Sequence, residues 1–167
     1  MEFNASSAQL LKIEADSLVL PTGSQLENIA KQIDAALDGA ITSLIESGDF
    51  SGKASEACVL RNLNTPFKRI ILVGTDGASN PQKMIKAIEA GASALFKTPA
   101  VNAVWAIEGL AEDHDWQATI VARSTLTAAY QYSGTGKKPK PKKLETVTYW
   151  CASENDSNIA NLGLNYG

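Results

Sequence analysis

Apolar residues recur along this chain at two periods, and the switches between them mark out its elements. "SLVLP" at 17–21 is a short apolar run closed by proline, which predicts a buried strand. Leu26, Ile29, Ala30, Ile33, Leu37, Ala40, Ile41 and Leu44 then follow at three- and four-residue intervals, one face of a helix bent at Gly39. "EACVLRN" (56–62) and "RIILVG" (69–74) predict two strands joined by a turn around "NTP" (64–66), a candidate hairpin. Asn80 and Pro81 read as the cap and first residue of a helix to about Lys97, with Met84, Ile88, Gly91, Ala92 and Leu95 on its apolar face. "VNAVWAI" (101–107) is a further strand, 116–132 a helix, and "LETVTYWC" (144–151) a last strand. Strands alternating with helices predict an α/β fold, a three-layer sandwich around a mixed sheet.

Composition narrows the class without naming a function. The 167 residues fit one domain, and 44% hydrophobic with 20% charged residues is ordinary for a globular protein. The start, Met1-Glu2-Phe3, does not read as a signal peptide, and no run approaches the roughly 20 apolar residues that span a bilayer. Cys58 and Cys151 lie far apart without CxxC spacing. They are expected as buried thiols in a reducing compartment, and the expected location is the cytoplasm, without membrane contact.

"GDFSGKASE" at 48–56 invites a phosphate-loop reading. A phosphate loop needs GxxxxGK and then Ser or Thr, after a strand and opening a helix, so that helix N–H groups face the anion. Here the spacing is one residue short, Ala54 replaces the hydroxyl, and a helix precedes while a strand follows. The stretch is a helix-to-strand connection with Gly48 as the helix C-cap. "EDHD" (112–115) surrounds the chain's one histidine with carboxylates. Four consecutive residues do not converge on one ion, and Asp115 is expected to cap a helix beginning at Trp116. "VGTDGAS" (73–79) lacks GxGxxG spacing and reads as a turn at Asp76-Gly77. No catalytic, cofactor-binding or metal-binding residue is assigned from the sequence.

Taken in order, "DSLVLP", "LDGAITSLIESGDFSGKASE", "RIILVG", Trp116, "AAYQY" (128–132) and the lysine-proline stretch before "LETVTY" resemble the N-terminal domain of leucyl (cytosol) aminopeptidases. Ser55 stands where that family usually has a second glycine, and "VGTDG" replaces the commoner "VGLG". The resemblance implies a macro-like α/β domain over 1–152 and, at 153–167, the start of a helix linking it to a C-terminal catalytic domain. It also implies that two divalent metals (Zn or Mn) and their lysine, aspartate and glutamate ligands belong to that second domain. A homo-hexamer acting on peptide substrates is implied for the full-length enzyme.

"KKPKPKK" (137–143) places Lys137, Lys138, Lys140, Lys142 and Lys143 in one short stretch. The chain holds 15 basic and 18 acidic residues; without those five lysines, 10 basic face 18 acidic, a balance of −8. Such a patch suits DNA backbone, which some bacterial members of the resembled family bind, or plain solvation of a loop. Three readings follow: a non-catalytic domain of a metallo-aminopeptidase, a macro-like module for a nucleotide such as ADP-ribose, or a DNA-binding module. The first accounts for the whole-chain resemblance. The second would want an Asn-rich turn where "LPTGS" (20–24) stands.

Overall fold

The computed structural model describes residues 1–26, 28–61, 65–76, 80–106, 114–134 and 144–151. In chain order the elements are β1 (Glu2–Ser6), β2 (Ala15–Thr22), α1 (Asn28–Ala36), α2 (Ala40–Ser47), β3 (Ala57–Arg61) and β4 (Phe67–Gly74). They continue with α3 (Pro81–Phe96), β5 (Asn102–Trp105), α4 (His114–Gly134) and β6 (Thr146–Trp150). A 3-10 turn at Leu10–Lys12 lies between β1 and β2. The strands form one sheet in the order β1-β6-β5-β2-β4-β3, parallel throughout except for β3, which runs antiparallel to β4.

The apolar runs explain the layers. Strands covered on both faces read as continuous apolar stretches, and β2 and β4 do so. Val19, Ile71, Val73 and Trp105 turn to one face and pack with Ile88, Ala92 and Leu95 of α3 and Val121 and Ala122 of α4. Leu18, Leu20, Ile70 and Leu72 turn to the other, against Ile29 and Ile33 of α1, Ile41 of α2 and Phe50. This is a mixed-sheet α/β sandwich with helices on both faces, as the alternation of elements predicts. Pro21 is tolerated in a central strand because its missing N–H would point the way Val19 O points, towards β5. The β5 ladder ends there, with Trp105 opposite Val19 and Ala106 N–H bonded to Val19 O.

Three expectations need correction. The single bent helix through 26–44 is two helices. Asp38 (φ 56) and Gly39 (φ 80) both take the left-handed conformation, which ends α1 and redirects the chain. Asp34 then caps α2 across the break: Oδ1 accepts the N–H groups of Ile41 (2.8 Å) and Thr42 (3.1 Å), and Oδ2 accepts the Thr42 hydroxyl (2.6 Å). Second, α4 begins at His114, so Asp115 is inside its first turn and not its cap. There its negative charge complements the positive end of the helix, and its carbonyl accepts the Thr119 hydroxyl. Third, β1 was not anticipated. "EFNAS" alternates, with Phe3 and Ala5 against one core, but two apolar positions are too few to mark a strand, and it pairs with β6, Phe3 opposite Val147 and Ala5 opposite Tyr149.

The remaining elements agree with the pattern. The β3–β4 hairpin forms, Asn80 Oδ1 accepts Lys83 N–H at 2.9 Å to open α3, and Gly48 (φ 85) closes α2. The lysine stretch 137–143, the turn residue Gly77, Glu112 and Asp113, and the expected linker start at 153–167 lie outside the described residues. Cys58 and Cys151 form no disulfide; they belong to the cores on opposite sheet faces, an arrangement that keeps them from pairing. Burial raises the Cys58 thiol pKa, and the carboxylates of Glu56 and Asp49 push the same way, which disfavours the reactive thiolate.

Candidate ligand crevice at the strand ends

Open α/β sheets take ligands outside the carboxyl ends of their strands, where successive connections leave for opposite sides. In this chain that point is β2. Its own connection leads on to the β3–β4 hairpin on one side, and α3 then carries the chain from β4 to β5 on the other. A ligand site would therefore be built from the chain after β2 (Gly23, Ser24), after β4 (Thr75, Asp76) and after β5.

Part of this place is taken by the protein's own chain. Residues 51–56, the core of "GDFSGKASE", lie across the ends of β2 and β4 as a strap. Asp76 N–H donates to Gly52 O (2.9 Å), Ala54 N–H to Asp76 O (3.0 Å), Ser55 N–H to Gly74 O (3.1 Å) and Gly74 N–H to Glu56 O (2.7 Å). Lys53 and Asp76 form an isolated parallel bridge. Backbone donors that an anion would need are thus used inside the chain. Ser24 N–H is taken too, lying 3.1 Å from both oxygens of the Asp76 carboxylate.

Close approach dictates two glycines in the strap's path. A Cβ on Gly74 would overlap the Lys53 carbonyl, and one on Gly52 would stand 2.5 Å from Ser24 N. Gly52 also has φ 83. Within the strap, Ser51 donates its N–H and hydroxyl to the Glu56 carboxylate, and the hydroxyl bond first of all holds the Glu56 pKa below the usual value. Lys53, the residue a phosphate loop would depend on, is exposed and serves through its backbone. The rejection of a phosphate loop therefore has a geometric reason.

On the α3 face of the sheet, the described residues outline a small cavity. A cavity of about 10 Å³ is lined by Val19, Pro21, Val73, Thr75, Ile88 and Trp105. That is the lower limit for one water, whereas small-molecule pockets run to about 300 Å³ and more. Trp105 is 1% exposed and fills the region with its indole. Among the described residues no group of three or more His, Cys, Asp or Glu is arranged to hold a metal ion. None of the described helices is long and apolar enough to cross a membrane. Sequence reasoning missed the role of Asp76: its partner Ser24 is 52 positions away, and no local pattern announces the contact.

Comparison with known proteins assigns the family and the fold. Residues 18–139 match the model of the cytosol aminopeptidase family, N-terminal domain. A probable cytosol aminopeptidase of Xylella fastidiosa is 32% identical over 143 residues, which cover 82% of this chain and 28% of that protein. The chain spans about a third of the length of the curated relatives it matches. A tomato leucine aminopeptidase mutant superposes with a TM-score of 0.75 at 20% identity, over 98% of this chain and 35% of its own. A mutant Oceanobacillus iheyensis macrodomain with ADPR gives 0.69 at 11% identity, over 98% and 91%. At such identities the two structures speak for the fold alone, which is macrodomain-like. The match across most of the chain is what assigns it: this chain belongs to the cytosol aminopeptidase family, as its N-terminal domain.

Proposed function

We propose that this chain is the non-catalytic domain of a metal-dependent leucyl aminopeptidase, an enzyme that releases N-terminal amino acids from peptides. Its part is to aid assembly or access to an active site on a second domain. The observation that carries the reading is the strap, which takes up backbone groups at the ends of β2 and β4. In this reading the metal-dependent step belongs to the second domain together with its two divalent ions. In the same reading residues 1–152 form the domain, 153–167 begin the link, and the full-length enzyme is a cytoplasmic homo-hexamer.

The fold likeness to a macrodomain with ADPR favours one second reading, nucleotide binding. One pair of measurements separates the two. The purified 167-residue chain is expected to leave leucine-p-nitroanilide intact with manganese or zinc present, and to show no heat on titration with ADP. Metal-dependent turnover by the chain, free of host peptidase, would refute the non-catalytic assignment. Saturable ADP binding would replace it with the nucleotide reading.

A further inference from the structure

We infer that Asp76 is a latch that locks the loop after β2 and the 51–56 strap into one cooperative lid over the strand ends. Its carboxylate holds Ser24 N–H through both oxygens at 3.1 Å, while its own N–H and C=O hold Gly52 O and Ala54 N–H. One residue thus joins three chain segments that are distant in sequence. The seat for the carboxylate is built for it: a Cβ on Gly23 would stand 2.6 Å from Asp76 Oδ1. Gly52 in turn lies so close to Ser24 that a Cβ on it would stand 2.5 Å from Ser24 N, which packs the strap against the loop. Ser24 and Asp76 are both exposed, so burial does not hold this corner together; the bonds do. Loss of the latch would free the loop after β2 from the strap, and this holds whether or not the parent protein is an aminopeptidase.

Amide hydrogen exchange read residue by residue on the whole chain tests the latch. In the unaltered protein the amides of Ser24, Ala54 and Asp76 exchange about 100-fold more slowly than in a free chain, and at a common rate, because one opening event exposes all three. Asp76→Ala speeds exchange at Ser24 and Ala54 together by about 10-fold, while Ile71 and Leu72 keep their rates. Gly23→Ala gives the same signature without touching Asp76, because its methyl group displaces the carboxylate. A fast Ser24 amide in the unaltered protein overturns the inference, and that measurement stands even if a variant fails to fold. Unchanged protection of Ala54 in both variants overturns it equally.

Discussion

Ser55 has φ 68, in the left-handed region where an L side chain crowds the following carbonyl. The strap imposes this conformation, since Ser55 N–H must reach Gly74 O while Glu56 N–H returns to Lys53 O. That gives a physical reason for the glycine usual at this position in the resembled family. Ser55→Gly is expected to stabilise the chain by about 0.5–1 kcal/mol, the relief of strain exceeding the added freedom of the unfolded chain. A urea midpoint below that of the unaltered protein would show that the serine is not strained. Glu56, the next residue, supplies a pH dependence. Its folded pKa lies below the ordinary value because the Ser51 hydroxyl, and then the Ser51 and Lys53 N–H groups, bind its charged form against the opposing effect of burial. Stability from this group is therefore fully present above the ordinary glutamate pKa and is lost as pH falls through the lowered folded value. Glu56→Gln should flatten the acid limb of the stability curve in that window, followed by urea unfolding at stepped pH. An unchanged acid limb would mean that Ser51 does not hold the charge.

Among elements, the break between α1 and α2 shows best how a buried carboxylate directs the chain. Asp34 is only 9% exposed and meets two N–H groups and one hydroxyl, so it satisfies donors that the start of α2 would otherwise leave bare. Asp34→Ala is expected to cost about 2 kcal/mol, the upper end for a lost cap, with the α2 amides losing exchange protection first. A loss confined to α1 would place the effect in helix propensity instead of capping. The same break marks what the sequence could express. The apolar spacing through 26–44 correctly put Ile29, Ile33 and Ile41 on one buried surface, because both helices pack on the same sheet face. It could not reveal the break, because the cap comes from a residue of the preceding helix. β2, β4, α3 and the hairpin were legible because each carries its own apolar period or local cap. β1 was not, since an edge strand with "EFNAS" owes its order to Val147, Thr148 and Tyr149 far along the chain. At the candidate site, the helix-to-strand role of "GDFSGK" was readable from element order. The strap's place across the strand ends was not, because it depends on contacts between 23–24, 52–54 and 74–76 that no window of sequence contains.

For the whole molecule, charge on the outer surface decides which partners it suits. Buried apolar surface is already committed to the two cores, and Leu126 and Tyr130 are among the few large apolar side chains exposed in the described residues. A stable interface buries about 800 Å² on each partner, far more than the four large apolar side chains exposed among the described residues supply. The chain alone should therefore sediment as a monomer or weak dimer; a tight hexamer at low micromolar concentration would contradict this. The strongest charge feature is the stretch of Lys137, Lys138, Lys140, Lys142 and Lys143. If these lysines only solvate a connection, changing all five to Gln should leave stability within about 0.5 kcal/mol, since exposed charges contribute little. Duplex DNA would release a few counterions at such a patch, so weak binding at about 50 mM salt should fade by about 200 mM and show no sequence preference. Stronger binding is opposed by the rest of the chain, where 10 basic residues face 18 acidic ones and repel the backbone wherever the patch ends. Fluorescence anisotropy at about 150 mM salt decides between the two. Absent or salt-labile binding supports a solvated connection. Sub-micromolar binding that the five-Gln variant abolishes would make the lysine stretch a nucleic-acid site, and the domain would then have a role of its own beside any it plays for a second domain.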